Sequence, residues 1–249
     1  MAIYAIGDIH GSLTALKTIF EQGLIKENDK VVFLGDYIDK GTDSKEVLNW
    51  LIEKSKVYDF EFMLGNHEIM MMAAKSSPEK YVDWVHNYGG IHTLYSYDME
   101  DNLNWMNDID KTHWNFIDSC KPYLEIGAFI FVHAGLEQNK KLNEQKKHHL
   151  FHKKYEQPLI YDSSKTVICG HTARVNGKIA DFGHTICIDT FAHGGMWLTC
   201  LNVETGEFLK ANNKEQIETG KLKRYDNTLK KRFKARVYKW FSSSSNDDE

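Results

Sequence analysis

Six residues with oxygen or nitrogen donors lie along the chain in short motifs. Asp8 and His10 fall in Gly7-Asp8-Ile9-His10-Gly11, and Asp36 in Gly35-Asp36-Tyr37-Ile38-Asp39-Lys40-Gly41. Asn66 falls in Gly65-Asn66-His67-Glu68, His133 in His133-Ala134-Gly135 and His171 in Gly170-His171-Thr172. Such a donor set without thiolate suits manganese, iron or zinc. It is also what two adjacent divalent ions need, and two ions roughly 3.5–4 Å apart can clamp and polarise a phosphate during in-line displacement. Singly the motifs are weak: Gly-Asp after a strand is usually a turn, and strand alternation can put Asp-x-His on one face by accident. The ordered set, with its members at the ends of apolar runs, points to a dinuclear centre acting on phosphate esters.

The elements that must position these residues can be read from periodicity. Apolar runs at 2–6 and 30–35 read as strands, and the first two motifs follow them, on the loops where open α/β sheets build their sites. A helix near 12–25 carries Leu13, Leu16, Ile19 and Phe20 at helical spacing, and one near 43–55 carries Val47, Leu48, Leu51 and Ile52. A strand at 60–64 leads into a third helix whose Met70, Met71 and Met72 read as core. Two βαβ units imply parallel strands with right-handed crossovers. Residues 76–122, with Trp84, Trp105 and Trp114, read as a mostly helical insertion placed to cap a cleft. Segments 123–132, 166–170, 185–190 and 196–203 are expected to form a second sheet. The fold class is therefore α/β, two packed mixed β-sheets flanked by helices in an α/β/β/α sandwich over residues 1–209.

From Lys210 the chain turns basic, and residues 210–241 read as an amphipathic C-terminal helix. Asn227 is its candidate N-cap, and Leu229, Phe233, Val237, Trp240 and Phe241 share one face. It is expected to dock on the domain or to meet an anionic partner or membrane surface. Residues 242–249 read as a disordered tail.

Composition agrees. The 249 residues, 42% hydrophobic and 27% charged, suffice for one substantial core, and the formal charge is −4. No apolar run approaches a membrane span, and the chain enters directly into a strand without a secretory leader, so the cytoplasm is the expected location. Cys120, Cys169, Cys187 and Cys200 read as buried free thiols. None sits in a Cys-x5-Arg loop, which excludes cysteine-based phosphatase chemistry.

The three leading motifs resemble the Gly-Asp-x-His-Gly, Gly-Asp-x-x-Asp-Arg-Gly and Gly-Asn-His-Glu blocks of the phosphoprotein phosphatases. These belong to the calcineurin-like metallophosphoesterases, and the chain is most similar to their short bacterial and phage serine/threonine phosphatase branch. Residues 84–90 (WVHNYGG), and Ile188-Asp189-Thr190 followed by Leu198-Thr199, extend the resemblance over residues 1–205. It implies the calcineurin-like fold and a first metal bound by Asp8 and His10. Asp36 would bridge, and Asn66, His133 and His171 would complete the ligands of the second metal. Two divalent ions are implied, manganese first, iron or zinc otherwise, with a metal-bridging hydroxide as nucleophile. His67, oriented by Asp39, would protonate the leaving alkoxide, a role suited to an imidazolium held by a carboxylate.

The chain departs from the family at the two phosphate-binding arginines. Lys40 stands in the second block and Lys153 where the branch has Trp-x-Arg; they are the expected substrate-binding residues. Lysine is a flexible point charge where arginine is a planar fork, so altered efficiency or substrate preference is expected. Arg174, shortly after His171, is a candidate to compensate. Phe191 stands where the family has Gly. His148, His149 and His193 read as surface or supporting residues, because the ligand set is full.

The expected activity is hydrolysis of phosphomonoesters, phosphoserine or phosphothreonine in proteins first, with a phosphoprotein or small phosphorylated substrate as partner and no DNA. The alternative is hydrolysis of dinucleoside polyphosphates or nucleotide-capped RNA ends, but those relatives usually have Ala-Arg in place of the Asp at Asp39. A non-catalytic scaffold would be expected to lose ligands, and none is lost.

Overall fold

The computed structural model describes residues 1–100 and 104–225. Strands β1 (Ile3–Ile6), β2 (Lys30–Phe33) and β3 (Asp59–Phe62) alternate with helices α1 (Leu13–Glu21), α2 (Ser44–Lys54) and α3 (Asn66–Ala74). Helices α4 (Pro78–Asn87), α5 (Gly90–Ser96) and α6 (Lys111–Ser119) follow. Then come β4 (Tyr123–Ile126), β5 (Phe129–Val132), α7 (Lys147–Phe151), β6 (Thr166–Cys169), β7 (Ala180–Asp181) and β8 (Thr185–Cys187). Three strands, β9 (Leu198–Asn202), β10 (Glu207–Ala211) and β11 (Ile217–Lys221), follow, and a 3-10 turn, Lys223–Tyr225, ends the described chain.

Two mixed sheets result. The first has the order β11-β10-β9-β1-β2-β3 and the second β4-β5-β6-β8-β7. The pairs β1–β2, β2–β3, β5–β6 and β6–β8 are parallel. Strand alternation divides the core. Ala5, Val32, Leu34 and Leu201 of the first sheet meet Phe131, Ile168 and Ile186 of the second. On the outer side, Tyr4, Ile6, Val31 and Phe33 pack under Leu16 and Ile19 of α1 and Val47, Leu48 and Leu51 of α2. Beneath the second sheet, Ile130, Val132 and Val167 cover Leu150 and Phe151 of α7. The α/β/β/α sandwich is as expected.

Three expectations need correction. Residues 198–202, expected in the second sheet, instead pair antiparallel with β1 at the centre of the first. Every residue of β9 is buried, with Leu198 and Cys200 towards the helices and Leu201 towards the other sheet, so only a central position satisfies both faces. Residues 210–221 are not helical: they complete the β10–β11 hairpin, where the buried Lys210 Nζ donates to Gly177 O at 3.0 Å and Glu218 Oε1 at 2.9 Å. The rest of the helix expected over 210–241, from residue 226 on, and the tail 242–249 lie outside the described residues. Lastly, Cys169, Cys187 and Cys200 are buried free thiols, whereas Cys120 is only partly buried.

The expected insertion is helical. Trp84 and Trp105 are buried with ring centroids 5.0 Å apart, and Tyr81 stacks on Trp105. This aromatic cluster anchors α4 on the core beside the strand ends that carry the site.

Candidate metal centre

Each motif leaves its sheet at the C-terminal end of a parallel strand: β1 for Asp8 and His10, β2 for Asp36, β5 for His133, β6 for His171. Asn66 and His67 open α3 just beyond β3. The turns are tight. His10, Asp36, Asp39, Lys40, His171 and Phe191 all take positive φ, between 45° and 70°. Such backbone costs about 1–2 kcal/mol per residue and concentrates at functional sites. Glycine is required where the loops touch. A Cβ on Gly65 would lie 2.2 Å from Asp36 Oδ1, and one on Gly170 1.9 Å from Asp8 Oδ1.

Asp36 is the hub. Its Oδ2 lies 3.4 Å from His10 Nε2 and 3.9 Å from His67 Nε2, and its Oδ1 3.4 Å from His133 Nε2. Asn66 Oδ1 lies 2.9 Å from both His133 Nε2 and His171 Nδ1. Ligand atoms gather in two groups, His10–Asp36–His67 and Asp36–His133–His171, each within 4.8 Å and sharing Asp36. Burial pushes the Asp36 carboxyl up, but the imidazoles of His133, His67, His10 and His171 outweigh it and hold it well below the carboxylate range.

The outer nitrogens of three imidazoles are committed to backbone carbonyls. His10 Nδ1 donates to Ile38 O at 2.8 Å, His133 Nδ1 to Leu34 O at 2.8 Å and His171 Nε2 to His152 O at 2.9 Å. Burial lowers all three pKa values, that of His171 to about 4 with help from His133. With the outer nitrogen of each ring donating to a carbonyl, the inner nitrogen is the one turned toward the oxygens of Asp36 and Asn66. Acceptors facing acceptors fit a cation between them, and fixing the far nitrogen is how metal-ligating histidines are oriented.

Asp8 lies against the His171 loop. Its carboxylate accepts from the His171 N–H at 3.2 and 2.9 Å and belongs to neither three-residue group. It is buried, and burial, with Asp189 and Asp36 adding like charge, pushes its carboxyl well above the usual range. Such crowding of buried carboxylates also fits a cation.

His67 and Asp39 are paired as expected, with His67 Nδ1 2.7 Å from Asp39 Oδ2. Burial lowers the His67 pKa, but Asp36 and Asp39 more than compensate and raise it. Asp39 is itself buttressed by Trp84 Nε1 at 2.8 Å and Thr93 Oγ1 at 2.6 Å, both from the helical insertion. These partners lie 45 and 54 residues away, and nothing in local sequence announces them.

The centre opens into a cleft of about 890 Å³ whose walls include Lys40, Tyr88, Lys154, Phe191 and His193. Lys40 lines the cleft, its Nζ 3.1 Å from His10 Nε2. Lys153 does not: it projects over the Tyr155 ring at 5.3 Å, and Lys154 lines the cleft. Arg174 does not compensate, since it pairs with Glu156 Oε2 at 2.9 Å and with Tyr155 O. His148 and His149 stay outside the cleft, whereas His193 lines it and packs on His10.

Glu68 was legible only as part of a motif. Fully buried, it accepts from the backbone N–H groups of Asp36, Tyr37, Ile38 and Gly65 at 3.0, 2.8, 3.4 and 3.1 Å. A Glu three residues inside a helix start was the available signal.

Among known proteins, residues 1–195 match the calcineurin-like phosphoesterase family. A symmetrical bis(5'-nucleosyl)-tetraphosphatase of Marinomonas sp. is 31% identical over 46% of this chain and 40% of that protein. A serine/threonine-protein phosphatase of Caenorhabditis elegans is 27% identical over 71% of this chain and 37% of that protein. The chain thus spans less than half the length of these curated relatives. The cold-active protein-tyrosine phosphatase of a psychrophilic Shewanella has the same fold, with a TM-score of 0.59 at 14% identity, covering 87% of this chain and 79% of that one.

Proposed function

The chain belongs to the calcineurin-like phosphoesterase family, and on that premise we propose that it is a metal-dependent phosphomonoesterase acting on phosphoserine or phosphothreonine in proteins. The observation that carries this reading is the shared Asp36 between two imidazole groups, beside a His67–Asp39 pair. Asp36, His10, Asn66, His133 and His171, with Asp8 behind His171, would hold two divalent ions, manganese first. When bound, these ions supply Lewis acidity to the phosphate and lower the pKa of water. Lys40 and Lys154 attract the anionic substrate into the cleft. His67 keeps a proton, held by Asp39 and Asp36, and delivers it to the departing alkoxide, which is too poor a leaving group to go unprotonated. Trp84 and Thr93 fix both oxygens of Asp39, so the imidazole keeps one orientation.

A second reading, cleavage of dinucleoside polyphosphates, is favoured by the Marinomonas relative and by a cleft far larger than one phosphate. Parallel assays with manganese on a phosphopeptide, an aryl phosphomonoester and diadenosine tetraphosphate separate the two. Turnover of the dinucleotide far above that of the phosphopeptide overturns the first reading.

A further inference from the structure

His193 has no place in the motif set, yet it occupies the site. The His10 ring is flanked edge-on by His67 at 4.6 Å and 84° and by His193 at 4.7 Å and 82°. His193 Nδ1 is buried and has no hydrogen-bond partner among the described residues. Nδ1 is shut off from the cleft, so the ring nitrogen available to a ligand there is Nε2.

The backbone is built to hold this side chain where it is. His193 sits in a single turn, Ala192–Gly194, bounded by left-handed residues on both sides, Phe191 (φ 66°) and Gly195 (φ 82°). Positive φ on a bulky aromatic residue is a true outlier, and such strain persists where the surroundings impose it. The Phe191 ring covers the imidazole at 4.6 Å and fills the space beside Gly194, where a Cβ would come within 1.9 Å of Phe191 Cε1. Phe191 and His193 both line the cleft. Lys40 adjoins the same His10 ring, its Nζ 3.1 Å from Nε2.

A tetrahedral phosphate presents several oxygens. One ammonium is a point charge that attracts them without fixing their directions, whereas an arginine fork supplies two directed donors. An ammonium and an imidazole N–H on two sides of one ring restore that pair from separate residues. We propose that His193 is a substrate-binding residue that shares with Lys40 the grip on the phosphate oxygens in this cleft. The inference rests on the phosphomonoesterase reading for its substrate but not for its test.

Inorganic phosphate is titrated calorimetrically into the manganese-loaded full chain, as wild type, His193→Ala and His193→Gln, with bound metal measured by elemental mass spectrometry. Loss of one hydrogen bond to a charged group should weaken phosphate binding about tenfold or more in His193→Ala, with metal content unchanged. His193→Gln, which keeps an N–H donor, should recover most of the affinity. On a phosphomonoester, KM should rise more than kcat falls. Phosphate affinity within about twofold of wild type in His193→Ala overturns the inference. So does weakened binding accompanied by loss of metal, which would make His193 a support for His10. A wild type that binds phosphate but turns over no phosphomonoester defeats the preceding functional reading and leaves the titration to decide this one.

Discussion

Replacing Glu68 with Gln changes one atom in a buried clamp, and the consequence can be worked from the structure. The carboxylate ties the β2 loop to the start of α3: Oε1 accepts from Tyr37 and Ile38, Oε2 from Asp36 and Gly65. Burial and the neighbouring Asp36 push this carboxyl up, while His67 and the Tyr37 N–H pull it back, and the four converging N–H groups can all be accepted only by the ionised form. A glutamine keeps one oxygen, enough for Tyr37 and Ile38. Its amide nitrogen then faces the other two N–H groups and leaves them unpaired. Each buried unsatisfied donor costs about 1–3 kcal/mol, so Glu68→Gln should lose roughly 2–6 kcal/mol. That is a large share of the roughly 5–15 kcal/mol typical of a folded domain. Urea unfolding should show a lower midpoint at unchanged m-value. Hydrogen exchange should accelerate at the Asp36 and Gly65 amides before the rest of the sheet. A loss below about 1 kcal/mol, with both amides still protected, would refute the clamp.

Other outcomes follow from the same geometry. His67→Asn should retain metal yet slow hydrolysis of alkyl phosphates by about 10²- to 10⁴-fold, and metal loss by elemental analysis would reject its role as acid. Lys154→Ala should raise KM for an anionic substrate while Lys153→Ala leaves it unchanged; equal effects in steady-state kinetics would contradict the cleft lining. Gly170→Ala drives a methyl into Asp8, so soluble protein with unchanged thermal stability and metal content would show that contact to be wrong. His113 is buried between Tyr97 OH (2.6 Å) and Asn49 Oδ1 (2.9 Å), and burial lowers its pKa from the ordinary 6.5. The native state then binds fewer protons than the unfolded chain below that value. Its contribution is complete above about pH 6.5 and lost as pH falls through the lowered pKa. Thermal melts across pH 5–7 should show a shallower acid decline in His113→Gln.

Much of the site was written locally. Asp36, Asn66, His133 and His171 were identified because each follows an apolar run, and a strand end fixes where its next residue points. The pairing of His67 with Asp39 was read by resemblance and is present at 2.7 Å. Sequence pattern carries no direction where the backbone leaves regular structure. Lys153 and Lys154 differ by one position in an irregular stretch, and periodicity there gives no direction. The 198–202 strand shows the same limit at the level of the sheet. Its apolar pattern marks a strand buried on both faces but does not say which sheet receives it.

The βα units, the donor types and their order are written in the chain, because strand and helix periods and ligand chemistry are local properties. Only the tertiary structure decided that Trp84 and Thr93 brace Asp39, that Glu68 ties two loops together, and that His193 and Lys154 face the cleft while Lys153 and Arg174 do not. Those outcomes depend on which distant backbones the packed sheets bring within hydrogen-bond reach, and contact between residues tens of positions apart leaves no periodic trace in the chain.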